Sequence, residues 1–257
     1  MKEMLILEGK MGMSYGREFR PVRIENTIFD DITKDMVLDE IGETGNKRLF
    51  IYGEYSTGKT TLSRVAVRRY MEDGNLGIIE NRMWDKFCKK GNIEWNPNVH
   101  IISCAKYRAV EDLEYLLNSI EGLRKRTKGN EGKEAFLILH TDVLGLDSKL
   151  LLMDYLKDHV GKNALVIMTA DNWENVLVDL KCGFTTVGLD RFNDFQIMNC
   201  LKKVCDELRI TYTQEVLQYI IDKSCHTLKT ALITLEYVTS GGDLSYSRVV
   251  ELLNEED

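Results

Sequence analysis

The sequence predicts an α/β protein in which a five-stranded, mainly parallel sheet is flanked by helices and followed by a small all-helical domain. Short apolar runs alternate with helical patterns up to about residue 190, as in parallel sheets with crossover helices. From Asp190 onward, only helical patterns remain. We therefore expect an α/β domain over residues 1–189 and a helical domain over residues 190–257.

The elements follow from these patterns in chain order. The predicted strands are the apolar runs Leu49 to Tyr52, Val99 to Cys104, Ala135 to His140, Ala164 to Ala170 and Phe184 to Leu189. Apolar residues at helical spacing predict helices over 110–123 and 150–156, and then over 197–208, 216–224, 228–238 and 246–253. The polar stretch 72–98 contains Trp84 and Trp95 and is expected to be an inserted helix and loop.

Composition excludes several classes of protein. The 257 residues include 34 Lys and Arg against 41 Asp and Glu, and this net charge of −7 disfavours a protein that coats nucleic acid or anionic membranes by bulk electrostatics. No apolar run approaches the length of a signal-peptide core or a membrane span, so we expect a cytoplasmic protein without membrane contact. The six cysteines form no CxxC pair, which argues against a zinc ribbon or a disulfide framework.

The most specific motif is a phosphate-binding loop. Residues 53–60, GEYSTGKT, fit the pattern GxxxxGK[ST], directly after a predicted strand and directly before a helical stretch. Such a loop wraps a phosphate with backbone N–H groups, and the following helix N-terminus favours an anion. The predicted nucleotide-binding residues here are Gly53, Ser56, Thr57, Gly58, Lys59, Thr60 and Thr61. Lys59 is expected to neutralise the β and γ phosphates, and Thr60 to offer its hydroxyl to Mg²⁺.

Two further strand ends carry acidic side chains. Asp142 follows the third predicted strand and is a candidate ligand for Mg²⁺, directly or through water. Asp171 and Asn172 follow the fourth, where either side chain could orient water beside the γ phosphate. Spacing alone supports equally well a turn in which one of them caps the next helix.

Over residues 15–255, the motifs follow one another in the order found in AAA+ ATPases, and the chain resembles these proteins. Within that family it is similar to the clamp-loader subunits of DNA polymerases. The similarity is to the replication-factor-C small-subunit type and to the bacterial delta-prime type. Glu18-Phe19-Arg20-Pro21 looks like the segment that lies near the adenine in that family. The resemblance implies that Asp171 is the sensor-1 residue and that Lys229, where the family usually has arginine, is the sensor-2 residue.

Departures from the family pattern concern hydrolysis and assembly. The family's water-polarising glutamate is replaced by Val143, and Cys182-Gly183-Phe184 lacks the arginine that would act on a neighbour's ATP. His140-Thr141-Asp142-Val143 is closer to the delta-prime type, a non-hydrolysing subunit in that family. No zinc module is expected, and the chain ends with the lid, so we also expect no collar domain.

The resemblance implies an ATP-binding protein that uses ATP and Mg²⁺ to control assembly with other AAA+ subunits, in a homo- or hetero-oligomer. DNA and a replication protein are further expected partners, and hydrolysis should be weak or partner-dependent. Three alternatives remain open: a helicase-loader or transposition-type AAA+ ATPase, a nucleotide-stabilised scaffold without turnover, and a small-molecule or nucleoside kinase. The helical domain after the fifth strand speaks against the kinase.

Overall fold

The computed structural model describes residues 15–72, 96, 98–126, 133–240 and 244–254. The polar stretch 72–98 therefore lies almost entirely outside the described residues, as do Trp84 and Trp95. Within the described parts of the chain, no helix combines the length and the hydropathy that crossing a membrane requires. The cysteines that are described form no disulfide with one another.

The described chain divides into two compact units. One comprises residues 21–191, and the other combines residues 15–20 with residues 192–254. The sequence places residues 15–20 with the sheet, whereas the structure groups them with the C-terminal helices. The division of the chain into two domains at residue 190 stays a prediction.

The first unit contains the sheet. Its helices are α2 (Asp31–Ile41), α3 (Lys59–Glu72), α4 (Val110–Arg126), α5 (Leu146–His159) and α6 (Val178–Lys181), with 3₁₀ turns at Ile24–Asn26 and Thr141–Val143. Its strands are β1 (Arg48–Gly53), β2 (Val99–Ser103), β3 (Ala135–Leu139), β4 (Leu165–Ala170) and β5 (Thr185–Leu189). The predicted five-stranded sheet is confirmed, and each strand end lies within one residue of its expected position.

The strands are arranged in the order β2-β3-β4-β1-β5, and all neighbouring pairs are parallel. The three central strands are largely apolar because both sheet faces are covered. Phe50, Phe136 and Met168 contribute to a core cluster on one face. Ile51 and Ile167, which alternate with these residues, are also fully buried. This burial on both faces explains why the strands appear in the sequence as continuous apolar runs.

The second unit is helical. It contains α1 (Tyr15–Glu18), α7 (Asp194–Leu208), α8 (Gln214–Lys223), α9 (Leu228–Ser240) and α10 (Tyr246–Asn254). Asn193 caps α7: its side chain accepts a hydrogen bond from the Gln196 backbone, and the Gln196 side chain accepts one from the Asn193 backbone. Tyr15 and Phe19 pack against the buried core of these helices. Their rings lie edge to face, with the ring centroids 5.6 Å apart.

Candidate nucleotide site

The loop between β1 and α3 has the backbone geometry of an anion cradle. Gly53, Ser56 and Gly58 have φ values of +152°, +68° and +88°, a backbone region that glycine adopts readily and other residues rarely. A side chain at Gly53 would place its Cβ 2.3 Å from the Leu189 carbonyl oxygen at the end of β5. Glycine is required at this position by both the torsion angle and the close approach of β5.

Internal hydrogen bonds hold the loop in shape. Thr57 is fully buried, and its Oγ1 donates to the Glu54 carbonyl at 2.9 Å. The exposed Glu54 side chain pairs with Arg191 Nη2 at 2.6 Å. Thr60 and Thr61 lie half-buried in the first turn of α3, where backbone N–H groups have no partner within the helix.

Lys59 is the first residue of α3 and one of the few buried charged residues. Its Nζ donates to the carbonyl oxygens of Gly53 at 2.8 Å and Glu54 at 2.6 Å. The Asp171 carboxylate lies 2.8 Å from the same atom. An ammonium group has three hydrogens, so these three acceptors use its full donor capacity.

The sheet order brings the predicted polar residues to one edge. Because β4 lies between β3 and β1, the chain segments that leave these three strands are neighbours at their carboxyl ends. Thr169, fully buried near the end of β4, links two of them: its Oγ1 accepts from the His140 N–H at 3.1 Å, and its carbonyl accepts from Thr141 Oγ1 at 3.1 Å. His140 has a left-handed backbone, with φ +60°, which turns the chain sharply after β3.

Asp142 is held in the turn after β3 with one oxygen engaged and one free. Its Oδ2 accepts a hydrogen bond from the Asn172 N–H at 3.0 Å. Its Oδ1 is buried and makes no hydrogen bond. A buried carboxylate oxygen without a partner is costly, and a cation or its bound water relieves that cost. The donor set of Asp142 and Thr60, both oxygen ligands, fits Mg²⁺.

The buried Cys104 thiol, which follows β2, is unreactive at neutral pH. Burial raises the pKa of the Cys104 thiol to about 12, with a smaller contribution from the Asp142 charge. Cys104 therefore stays protonated at neutral pH and offers no thiolate to a metal.

Asn172 and Asp171 play different parts in the turn after β4. Asn172 Oδ1 accepts from the Glu174 N–H at 2.9 Å, so this side chain stabilises a local turn. The next helix, α6, begins only at Val178 and has no side-chain cap. Asp171, by contrast, faces Lys59, and its Oδ1 lies 4.0 Å from His140 Nδ1.

The remaining predicted site residues lie outside the strand ends. Phe19 and Arg20 follow α1, Pro21 is the first residue of the sheet-containing unit, and Lys229 is exposed in the first turn of α9. Their contact with a nucleotide stays a prediction.

The residues that depart from the family pattern are at the surface. Val143 is 37% exposed directly after Asp142, and Cys182 and Gly183 are exposed directly after α6. At these positions, therefore, the described structure carries neither a carboxylate nor a guanidinium.

Sequence reasoning did not single out three residues of this region: Thr169, Glu54 and Arg191. A hydroxyl within an apolar strand was the available signal for Thr169, since a buried polar group needs partners. Glu54 and Arg191 are far apart in the chain, and only the register of β1 against β5, with Gly53 opposite Leu189, brings them together.

Sequence comparisons relate this chain to replication factor C subunits. No family model matches the chain. It is 25% identical over 248 residues to a replication factor C large subunit of Sulfurisphaera tokodaii, a match that covers 93% of this chain and 49% of that protein. It is 21% identical over 240 residues to a putative replication factor C small subunit of Acanthamoeba polyphaga mimivirus, covering 90% of this chain and 67% of that protein. The chain thus spans about half the length of the replication factor C large subunits that it matches.

Solved structures show the same fold. The Holliday junction branch migration motor RuvB of Thermotoga maritima superimposes with a TM-score of 0.63 at 13% identity, covering 92% of this chain and 72% of that one. Domain III of the replication initiation protein DnaA of Thermotoga maritima gives a TM-score of 0.61 at 15% identity, covering 91% and 96%. The chain has the AAA+ fold and resembles clamp-loader subunits. Within this AAA+ fold, the phosphate loop, Asp142 and Asp171 lie on neighbouring strand ends of the sheet.

Proposed function

We propose that this chain binds ATP with Mg²⁺ at residues 53–60 and serves as a nucleotide-controlled subunit of an AAA+ assembly. The observation that carries the proposal is the loop itself: three positive φ angles shape it, and Lys59 lies at its base with its ammonium group held in place. A helix N-terminus follows directly, so the loop offers backbone donors, a lysine and a helix dipole to one phosphate group.

Mg²⁺ would be held by Thr60 and Asp142. The buried, unpaired Oδ1 of Asp142 supports this assignment, because it supplies a negative oxygen whose desolvation nothing else in the described structure offsets. When bound, the ion would neutralise charge on the phosphates. The residues of the chain keep their own roles: Lys59 orients the phosphates, and the Asn172 N–H fixes the Asp142 carboxylate.

The similarity to replication factor C subunits supports an assembly partner of the same kind, and DNA or a replication protein as what the assembly engages. The net charge of −7 places any DNA contact on local patches rather than on the whole surface. ATP would then control assembly by favouring one arrangement of subunits over another, which requires that it bind the two arrangements with different affinity.

Hydrolysis is proposed to be weak without a partner. Val143 stands where hydrolysing relatives of this fold are expected to carry glutamate, and a valine cannot accept a proton from water. The lack of a carboxylate at this position also favours a second candidate function, a scaffold that bound nucleotide stabilises without turnover.

The fate of bound nucleotide tests the proposal. Purified protein is incubated with saturating ATP and Mg²⁺, separated from free nucleotide, and analysed by chromatography for what it holds and what it releases. We expect retained ATP and slow phosphate release, and we expect Lys59→Ala to retain neither ATP nor ADP. Lys157→Ala, a change of an exposed lysine on α5, is the matched control and should retain ATP as the wild type does. Equal retention by Lys59→Ala and the wild type would refute the site.

A gain-of-function variant tests the role of Val143. Val143→Glu places a carboxylate beside Asp142 on an exposed side chain, and we expect phosphate release to rise about a hundredfold, the lower end of the range for general acid–base catalysis. Val143→Gln has the same length without the charge and should leave the rate at the wild-type level. Equal rates for the two variants would show that this position does not limit hydrolysis.

A further inference from the structure

The contact between Lys59 and Asp171 has a consequence for which nucleotide the site prefers. Nζ of Lys59 is surrounded by three acceptors, two of which are backbone carbonyls at the base of its own loop. The third, Asp171, comes from the end of β4. The carboxylate is the one acceptor that carries a full negative charge, and it lies where the lysine of a phosphate loop meets the terminal phosphates.

We propose that Asp171 weakens the binding of nucleoside triphosphates relative to diphosphates at this site. This inference rests on the proposed function, since it requires that nucleotide bind at residues 53–60. A phosphate that binds Lys59 has to displace the Asp171 carboxylate or lie beside it. Each added phosphate charge close to Asp171 is repelled, and the γ phosphate adds charge that a diphosphate lacks.

Among the described residues, the basic side chains of Lys59 and His140 lie within 4.0 Å of Asp171, and neither fully offsets this repulsion. The Lys59 side chain contacts Asp171 and is 6% exposed. Its ammonium group also donates to the loop carbonyls, so its hydrogen bonds are divided between Asp171 and the loop. His140 Nδ1 is 4.0 Å away, beyond hydrogen-bond distance, and His140 is partly exposed. Asp142, on the neighbouring turn, adds negative charge rather than neutralising it, until a cation binds there.

The size of the effect follows from the geometry. Asp171 is 39% exposed, so water and salt screen it, and the full Coulomb energy of two charges a few ångströms apart in a dry interior does not apply. Repulsion in a partly screened setting is expected to change the ratio of the two affinities by about tenfold. Asn at this position keeps the shape and removes the charge.

The test compares Mg²⁺-ATP and Mg²⁺-ADP affinities by calorimetric titration for wild type, Asp171→Asn and Asp171→Ala. We expect both variants to raise the ratio of ATP affinity to ADP affinity by about tenfold, mostly through tighter ATP binding. Glu174→Gln, which removes the same charge from an exposed side chain three residues further on, is the control and should change the ratio less than twofold. Thermal unfolding of each variant verifies that it is folded.

The outcomes separate this inference from the proposed function. Nucleotide binding by the wild type with an unchanged ratio in both Asp171 variants would overturn the inference and leave the proposed function standing. An equal rise in Glu174→Gln would also overturn it, because the effect would then be one of net charge. Absence of binding of either nucleotide in every folded variant would overturn both.

Discussion

Gly53 provides a test of how closely the phosphate loop is constrained by the sheet. In Gly53→Ala, the new Cβ meets the Leu189 carbonyl oxygen at 2.3 Å, and the residue keeps a φ of +152° that side chains rarely adopt. A backbone oxygen at the end of a paired strand cannot move aside as a flexible side chain does. The torsion alone costs about 1–3 kcal/mol, and with the displaced strand end we expect a loss of about 2–4 kcal/mol in the free energy of unfolding.

The assay is thermal unfolding followed by circular dichroism, with Gly122→Ala as the matched control. For a chain of this size the loss corresponds to a fall in Tm of about 5–15 °C. Gly122 lies within α4, and a Cβ built there meets nothing within 4 Å, so its replacement should stabilise the protein by about 0.5–1 kcal/mol. Glycine-to-alanine replacement is thus expected to lower the free energy of unfolding at residue 53 and to raise it at residue 122. A Tm for Gly53→Ala at or above the wild-type value would refute the assignment of this loop conformation.

Two further predictions concern stability away from the loop. Glu134 is part-buried: burial alone would raise its pKa, but hydrogen bonds from His100 and Arg124 lower it below its ordinary value. Its stabilising contribution is therefore present above the unfolded-state pKa and is lost as the pH falls through the lower folded-state pKa. Glu134→Gln should destabilise the protein by about 1–3 kcal/mol at pH 7 and by less at acidic pH, so an equal loss at both pH values in denaturant titrations would contradict this account. Asn193→Ala removes the cap of α7 and should cost about 1 kcal/mol in the same titrations; no change in the unfolding midpoint would contradict the capping role.

The sheet was predictable because its central strands are largely buried on both faces. Runs such as those around Phe50 and Phe136 contain no polar interruption, and Gly53 ends the first run with a residue that marks a turn. The helices of the C-terminal part were predictable for a related reason, since their apolar residues recur at helical spacing and form a single buried cluster.

Other features depend on long-range contacts that no local pattern encodes. Residues 15–20 look like the start of the first domain, yet Tyr15 and Phe19 pack on the C-terminal helices, more than 200 residues away in sequence. Spacing left Asp171 and Asn172 equivalent, and the structure separates them: Asn172 stabilises a turn, whereas Asp171 contacts Lys59. That contact requires β4 to lie beside β1, which is a property of the sheet order alone.

The most direct test of the central claim is equilibrium binding of Mg²⁺-ATP to the isolated chain, measured by calorimetric titration of the wild type and of Lys59→Ala under identical conditions. We expect one saturable site per wild-type chain and no measurable binding to the folded variant, because the variant lacks the cation at the base of the loop. Binding of equal affinity by both proteins, or a folded wild type that binds no nucleotide, would contradict the claim that residues 53–60 are a nucleotide site.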